Sequence, residues 1–217
     1  MIRIVIADDH LVVRQGMRTL LELDPQIQIV GEASNGAEAV QAALELRPDV
    51  VVMDLVMPDV DGITATQLIR QGLPETEVVA LTSVLEGASV VRAIQAGAAA
   101  YVLKDTRADE LHRAIRAAAA GQVMVPPRIA TRLLRELEPL AASQPLSSTE
   151  TDVLRMLAAG QTNKDIALFL GVAEEAIRST VSAILDKLCV QSRTLAAIYA
   201  TQIGLVPINQ LGEALVA

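Results

Sequence analysis

The chain has 217 residues, of which 52% are apolar, and a formal net charge of -8. This length suits two domains of ordinary size better than one large domain. No apolar run approaches the roughly 18 residues of a membrane span, and the N-terminus lacks a charged and then apolar leader. The single cysteine, Cys189, has no partner for an internal disulfide. We therefore expect a cytoplasmic protein with no membrane contact.

The negative charge is concentrated in the first part of the chain. Residues 1–125 carry 17 acidic and 10 basic side chains, whereas residues 126–217 carry 9 acidic and 8 basic ones. An acidic surface favours solubility, and it also suits a site that binds a cation.

The first 121 residues alternate predicted strands with predicted helices. Apolar runs predict five strands, at 2–7, 27–30, 50–54, 77–81 and 101–103. Apolar residues at helical spacing predict five helices, at 11–23, 37–46, 63–69, 89–96 and 108–120. This alternation predicts an α/β fold, a doubly wound parallel sheet of five strands. In such a fold, ligands bind beyond the carboxyl ends of the strands.

Polar side chains follow four of the predicted strands. Asp8 and Asp9 come after the first strand, Asp54 ends the third, Thr82 follows the fourth and Lys104 the fifth. The third strand is apolar up to Asp54, so a carboxylate at its end is costly to bury and calls for an explanation. The parallel sheet should bring all five side chains to one edge.

Three neighbouring carboxylates raise one another's pKa unless a cation joins them. Mg²⁺ prefers oxygen ligands and is commonly held by one or two carboxylates. The sequence therefore predicts a Mg²⁺ site formed by Asp8, Asp9 and Asp54, with the carbonyl oxygen of Val56 as a further ligand.

The same edge suits phosphoryl transfer. An aspartate can act as the nucleophile and form an acyl phosphate, while an ammonium and a hydroxyl stabilise the transferred group. Ordinary structural explanations exist for each residue alone: Asp8 and Asp9 as helix caps, Thr82 as a strand end, Lys104 as a solvated lysine. Together, the residues favour a phosphoryl site.

These motifs resemble the receiver domain of two-component response regulators, which has a CheY-like fold. The resemblance covers residues 1 to about 121 and rests on Asp8-Asp9, Asp54 with Pro58 and Gly62 after it, Thr82-Ser83, and Lys104. It implies that Asp54 accepts a phosphoryl group from a sensor histidine kinase. It further implies that Asp8, Asp9 and Asp54 hold Mg²⁺, and that Thr82 and Lys104 contact the phosphoryl oxygens.

Tyr101 stands at the position of the family's aromatic switch, which implies that it turns inward when Thr82 moves. A lone tyrosine on a strand is also compatible with half-buried packing.

A rival interpretation is a phosphatase similar to the haloacid dehalogenases, which also use a strand-end aspartate and Mg²⁺. That chemistry needs a second aspartate two residues later, where this chain has Val56. Val84, two residues after Thr82, is apolar as well. We therefore expect a protein that is not an enzyme and whose phosphorylated form loses phosphate slowly.

The pattern changes after residue 121. Residues 122–145 form a predicted linker that contains one helix, at 128–137, and several prolines. Residues 146–208 then predict a small all-α domain with four short helices, ending near Ala159, Leu170, Leu188 and Ile203. Residues 209–217 form a C-terminal tail.

The helical domain resembles the LuxR-type helix-turn-helix. The resemblance rests on Thr162-Asn163-Lys164-Asp165-Ile166-Ala167, Gly171-Val172 and the segment from Ile177 to Leu188. A receiver followed by this module is the layout of the NarL/FixJ class. The resemblance implies that residues 174–188 enter the major groove, with Ile177, Val181, Ile184 and Leu188 turned inward. The predicted DNA contacts are Thr162, Asn163, Lys164, Arg178, Ser179, Ser182 and Lys187.

This module departs from the family pattern at five positions. The family usually has serine, histidine, asparagine, a basic residue and glycine where this chain has Ala173, Thr180, Ala183, Asp186 and Cys189. Residues 146–205 carry five basic and six acidic side chains, so a shallow salt dependence of DNA binding is expected. The alternative is a phosphorylation-gated adaptor whose helical module has lost DNA readout.

The resemblance also implies a regulated assembly. Phosphorylation would reshape a face formed by residues 89–96, 101–103 and 108–120. We expect this face either to form a homodimer of the phosphorylated protein, on a double-stranded DNA operator, or to free the helical module.

Overall fold

The computed structural model describes residues 1–83, 88–123, 127–136 and 142–211. The chain forms two compact units, Met1–Ala119 and Ala120–Ala217. Within the described ranges, every helix is too short or too polar to cross a membrane. Val84 and most of the predicted tail lie outside these ranges.

The first unit is a parallel sheet of five strands flanked by five helices. The strand order is β2-β1-β3-β4-β5, and all four pairings are parallel. The strands are β1 (Ile2–Ala7), β2 (Ile27–Ala33), β3 (Val50–Asp54), β4 (Glu77–Thr82) and β5 (Ala100–Leu103). The helices are α1 (Leu11–Leu21), α2 (Gly36–Leu46), α3 (Gly62–Gly72), α4 (Ala88–Gln95) and α5 (Ala108–Ala119). The predicted fold class is confirmed.

Alternate residues of the central strands feed two separate cores. On β1, Ile4 and Ile6 lie in one core with Ile115 of α5, whereas Val5 lies in the other with Ile69 of α3. Side chains on a strand alternate between the faces of the sheet, so helices cover both faces. This packing explains why every residue of β3 is buried.

The strand order determines where the sheet can bind a ligand. The chain leaves β1 towards β2 and leaves β3 towards β4, in opposite directions along the sheet. Because β1 and β3 are neighbours, this reversal opens a crevice at their carboxyl ends. The residues that end or follow these two strands therefore share one crevice.

The strand β2 is longer than predicted. The prediction ended it at Val30, but pairing with β1 continues through Glu32 to Ala33. Gly31 and Glu32 break the apolar pattern that marks a strand in sequence, so the pairing itself extends β2.

The second unit is helical. Its helices are α6 (Pro127–Glu136), α7 (Ser148–Ala158), α8 (Asn163–Leu170), α9 (Glu174–Leu188) and α10 (Arg193–Gln202), followed by a short 3₁₀ helix (Ile208–Gln210). Capping boxes start α7 and α8, in which Ser147 pairs with Glu150 and Thr162 with Asp165. Such reciprocal hydrogen bonds satisfy backbone N–H groups at a helix start.

The inward stripe predicted for α9 is confirmed, because Ile177, Val181, Ile184 and Leu188 are all buried. The helix α6 packs against α10, and Leu133 of α6 is fully buried. The helix predicted within the linker thus contributes to the core of the second unit.

Truncating the core of the second unit should destabilise it. Leu154 is fully buried on α7, so Leu154→Ala should cost about 2–5 kcal/mol of unfolding free energy. Hydrogen exchange of the α7 and α9 amides would measure this cost. Leu168→Ala is the matched control: its side chain is 83% exposed, and its effect should stay within about 0.5 kcal/mol. Equal effects of the two substitutions would contradict this packing.

Candidate functional site

Three carboxylates and a histidine gather at the carboxyl ends of β1 and β3. Asp8 is fully buried and Asp54 is 2% exposed. One potential ligand atom from each of Asp8, Asp9, His10 and Asp54 lies within 4.8 Å of the others. The crevice therefore concentrates negative charge, and two of its carboxylates, those of Asp8 and Asp54, have little access to water.

Lys104 is the counter-charge inside this cluster. Its Nζ lies 2.8 Å from Oδ2 of Asp8 and 2.6 Å from Oδ2 of Asp54. Its backbone N–H donates to the carbonyl oxygen of Thr82 at 2.9 Å, which fixes it at the end of β5 beside β4. One ammonium thus bridges the two buried carboxylates.

The protonation equilibria reflect this burial. Burial raises the pKa of Asp54, and this effect exceeds the lowering by hydrogen bonds from Lys104 and from the N–H of Val56. Burial by itself would lower the pKa of Lys104, but its hydrogen bonds to Asp54 and Asp8 raise it on balance. Lys104 therefore stays charged at neutral pH, while the ionised form of Asp54 costs free energy.

The loop after β3 holds the backbone of Asp54 in place. The N–H of Val56 donates to Oδ1 of Asp54 at 3.2 Å, and the N–H of Gly62 donates to the carbonyl oxygen of Leu55 at 3.2 Å. A Cβ on Gly62 would collide with the carbonyl oxygen of Asp54. The first turn of α3 can approach the end of β3 only because residue 62 is glycine.

Thr82 and Tyr101 lie on the neighbouring strands. Thr82 is buried and pairs in register with Leu103, whereas Asp54 pairs with Leu81. Tyr101 is half-buried and packs against a cluster that includes Leu55. Burial raises the pKa of Tyr101 to about 12, so its phenol stays neutral at physiological pH.

Of the predicted site residues, the structure brings Asp8, Asp9, Asp54 and Lys104 together, with Thr82 on the adjacent strand end. His10 was missed by the sequence analysis. Its Nδ1 lies 2.7 Å from Oδ1 of Asp9. The available signal was its place directly after the two aspartates that follow β1.

The predicted DNA-contact residues lie in the second unit, in varied environments. Lys164 and Ser179 are exposed, whereas Arg178, Ser182 and Lys187 are half-buried. Arg178 pairs with Glu174 at 2.8 Å on the same helix. Lys187 holds both carboxylate oxygens of Glu150, at 2.8 and 2.7 Å, and so links α9 to α7.

Asn163 is more buried than the other predicted DNA-contact residues. Its side chain is only 2% exposed, and its Oδ1 accepts a hydrogen bond from Nη1 of Arg193 at 3.3 Å. Its backbone N–H donates to the carbonyl oxygen of Ala120 at 3.3 Å. Both polar groups are engaged inside the unit, and the DNA contact of Asn163 stays a prediction. The hydroxyl of Thr162 is occupied by its capping box.

Two protein families match the two units. The family described as "Response regulator receiver domain" matches residues 4–116. The family described as "Bacterial regulatory proteins, luxR family" matches residues 144–200. The chain belongs to the response regulators of the NarL/FixJ class. It joins a receiver to a LuxR-type DNA-binding domain.

Full-length relatives share this arrangement. The chain is 40% identical to the transcriptional regulatory protein LiaR of Bacillus subtilis over 210 residues, which cover 95% of this chain and all of LiaR. It is 37% identical to the response regulator protein VraR of Staphylococcus aureus, over 94% of this chain and 99% of VraR. These relatives are named as regulators rather than enzymes.

Solved structures agree with this assignment. The crystal structure of the response regulator ChrA, from a haem-sensing two-component system, aligns with a TM-score of 0.52 at 34% identity, covering 94% of this chain and 98% of ChrA. A LuxR-family response regulator from Aurantimonas aligns with a TM-score of 0.57 at 39% identity, covering 63% of this chain and 97% of that one.

The acidic cluster of this response regulator fits a magnesium ion. Its donors include oxygens from three carboxylates within 4.8 Å of one another, and a hard divalent cation prefers such oxygens. Among the described residues, Lys104 is the one ammonium that pairs with these carboxylates, so a divalent cation would neutralise the remaining charge.

Because the pKa of Asp54 is raised, the difference in stability between the wild type and Asp54→Asn should depend on pH. Asp54 contributes most to stability when protonated, below its ordinary pKa of 3.8, and this contribution is lost as the pH rises through the raised value. With a chelator present, Asp54→Asn should therefore be more stable than the wild type at neutral pH. The gain should shrink as the pH falls towards 3.8. Urea denaturation across this range would measure it.

Asp61→Asn is the control of opposite sign. Asp61 caps α3, and the hydrogen bond from the N–H of Thr64 lowers its pKa, so neutralising it should reduce stability at neutral pH. A loss of stability for Asp54→Asn at neutral pH would contradict the account of the site.

Proposed function

We propose that the chain is a DNA-binding transcriptional response regulator that is switched when a sensor histidine kinase phosphorylates Asp54 in a Mg²⁺-dependent reaction. The observation that carries the proposal is the bridge from Lys104 to the buried carboxylates of Asp8 and Asp54, in a chain of this family. The functional domains are residues 1–121 and 146–208, and the protein acts in the cytoplasm with its kinase and DNA.

The chemistry is a phosphoryl transfer from nitrogen to oxygen. A carboxylate oxygen of Asp54 attacks the phosphorus of the kinase's phosphohistidine; the new P–O bond forms as the P–N bond breaks, and the leaving imidazole keeps the electron pair and takes a proton. Lys104 favours the ionised form of Asp54, which is the nucleophile. Mg²⁺, held by Asp8, Asp9, Asp54 and the carbonyl oxygen of Val56, would neutralise charge on the phosphoryl oxygens.

Phosphorylation would then rearrange the strand ends around Asp54. Before phosphorylation, Lys104 bonds to an oxygen of Asp54. The phosphoryl group would add negative charge beside Lys104 and would offer new acceptor oxygens to Thr82. Since the backbones of Lys104 and Thr82 are hydrogen-bonded, movement of one strand end reaches the other. Tyr101, on β5, would turn inward, and the face of residues 89–96, 101–103 and 108–120 would form a homodimer.

The phosphorylated form should persist. Hydrolysis of an aspartyl phosphate is accelerated by a second carboxylate near the attacking water. Val56, two residues after Asp54, is 77% exposed and carries none. The receiver therefore acts as a phosphoacceptor and not as a phosphatase.

DNA binding would use α9 as the recognition helix. Lys164, Arg178, Ser179 and Ser182 present polar groups at or near the surface, and the relative LiaR is named a transcriptional regulatory protein. Each module carries few unpaired cations, so a dimer on two half-sites would supply affinity that one module lacks.

A second candidate function is a phosphorylation-gated adaptor that binds protein instead of DNA. It is favoured by the ion pairs of Arg178 with Glu174 and of Lys187 with Glu150. These pairs reduce the positive charge available to phosphates.

Phosphorylation can be tested by intact mass after incubation with a small acyl phosphate and Mg²⁺. The wild type should gain the mass of one phosphoryl group, and Asp54→Asn should gain none, because an amide is not a nucleophile of this kind. Omission of Mg²⁺ should suppress the gain.

The matched control is Asp59→Asn. Asp59 is an exposed aspartate in the loop after β3, with a φ of 63° that asparagine also adopts. This variant should be phosphorylated as the wild type is. Phosphorylation of Asp54→Asn to the wild-type extent would refute the assignment.

DNA binding can be tested by gel shift on a genomic fragment library, with phosphorylated and unphosphorylated protein. Arg178→Glu should cost about 1–3 kcal/mol of binding free energy. Binding of the wild type should weaken only gradually with added salt.

Arg155→Glu is the control for charge reversal. Arg155 lies on α7 and, like Arg178, pairs with an acidic residue of its own helix, Asp152 at 2.6 Å. It should leave DNA binding nearly unchanged. A wild type that binds no fragment in either phosphorylation state would favour the adaptor instead.

A further inference from the structure

His10 lies against the acidic cluster but has no assigned role. Its Nδ1 is 2.7 Å from Oδ1 of Asp9 and 3.5 Å from Oδ1 of Asp8. His10 is the residue before α1, yet its side chain makes no capping hydrogen bond to that helix. The start of α1 therefore does not explain why the imidazole lies on the carboxylates.

We propose that His10 is a ligand of the metal site and that it makes the site prefer first-row transition ions such as Co²⁺ and Zn²⁺ over Mg²⁺. This inference rests on the proposed cation site at Asp8, Asp9 and Asp54. Imidazole nitrogen is a good ligand for the transition ions, whereas Mg²⁺ takes oxygen ligands almost exclusively. A set of three carboxylates and one imidazole therefore discriminates between these ions.

The separations between the donor atoms are close to those expected around a single bound ion. Metal–ligand bonds of about 2.1 Å place ligands on opposite sides of an ion about 4.2 Å apart. The donor atoms of Asp8, Asp9, His10 and Asp54 lie within 4.8 Å of one another. Small side-chain movements would bring them into range, and the side chain of His10, which is 68% exposed, is free to make one.

The contact between His10 and Asp9 brings two possible ligand atoms together. Nδ1 of His10 lies 2.7 Å from Oδ1 of Asp9, and Oδ1 of Asp9 is a buried atom with no hydrogen-bond partner in the described part of the chain. Buried polar atoms normally have a partner. A cation bound by both atoms would give this oxygen one.

Few other side chains can supply an imidazole nitrogen or a thiolate sulfur. The chain has two histidines and one cysteine. Nε2 of His112 lies 2.9 Å from the carbonyl oxygen of Leu20, and Cys189 belongs to the second unit. These two residues provide control variants for any effect of His10.

The test is calorimetric titration of the full-length protein with Co²⁺ and, separately, with Mg²⁺, without a phosphodonor. The variants are His10→Asn, His112→Asn, Cys189→Ser and Asp8→Asn. His10→Asn should weaken Co²⁺ binding roughly tenfold or more and change Mg²⁺ binding by less than about twofold, since asparagine still offers an oxygen. His112→Asn and Cys189→Ser should match the wild type for Co²⁺.

The visible absorption of bound Co²⁺ provides a second readout, because it changes when an imidazole ligand is lost. An equal loss of Co²⁺ and Mg²⁺ affinity in His10→Asn, or no loss of either, overturns the inference.

The Asp8→Asn variant distinguishes a failure of the inference about His10 from a failure of the proposed function. If it weakens Mg²⁺ binding while His10→Asn leaves Co²⁺ binding intact, the cation site stands and only the role of His10 is overturned. If Mg²⁺ binds the wild type and Asp8→Asn alike, the cation site and the inference are both overturned.

Discussion

The first unit depends on the contact between one ammonium and two buried carboxylates. Asp8 and Asp54 end up inside the protein because they follow strands whose other residues are almost entirely apolar. Burying an unpaired carboxylate costs roughly several kcal/mol, because the ion loses its hydration. Lys104, at the end of β5, offsets part of this cost for both acids at once. The fold thus stabilises a charge cluster that no strand could hold alone.

The balance of charge in the cluster supports the proposed switch. Lys104 provides one positive charge against Asp8, Asp9 and Asp54, so the site attracts further cations. In the proposed switch, a phosphoryl group on Asp54 would give Lys104 a new anion to bind. Thr82 lies on the adjacent strand end, and its carbonyl oxygen holds the backbone of Lys104. A local change of charge therefore reaches two strands of the sheet.

The sequence predicts the sheet and most of the acidic site because both follow from short-range patterns. Apolar runs locate the strand ends, and a parallel sheet brings those ends to one edge, so Asp8, Asp54 and Lys104 could be grouped without coordinates. Contacts between distant segments were not predictable in this way. Asn163 was predicted to contact DNA from the start of a helix, but it is buried and accepts a hydrogen bond from Arg193, thirty residues later. Likewise, no local pattern shows that Lys187 pairs with Glu150.

The central claim is that Asp54, and no other acid of the cluster, accepts the phosphoryl group. Borohydride reduces an aspartyl phosphate to homoserine, which marks the phosphorylated position permanently. Peptide mass mapping of the reduced, phosphorylated wild type should find homoserine at position 54 alone. Homoserine at position 8 or 9, or phosphate that resists borohydride on another side chain, would contradict the account.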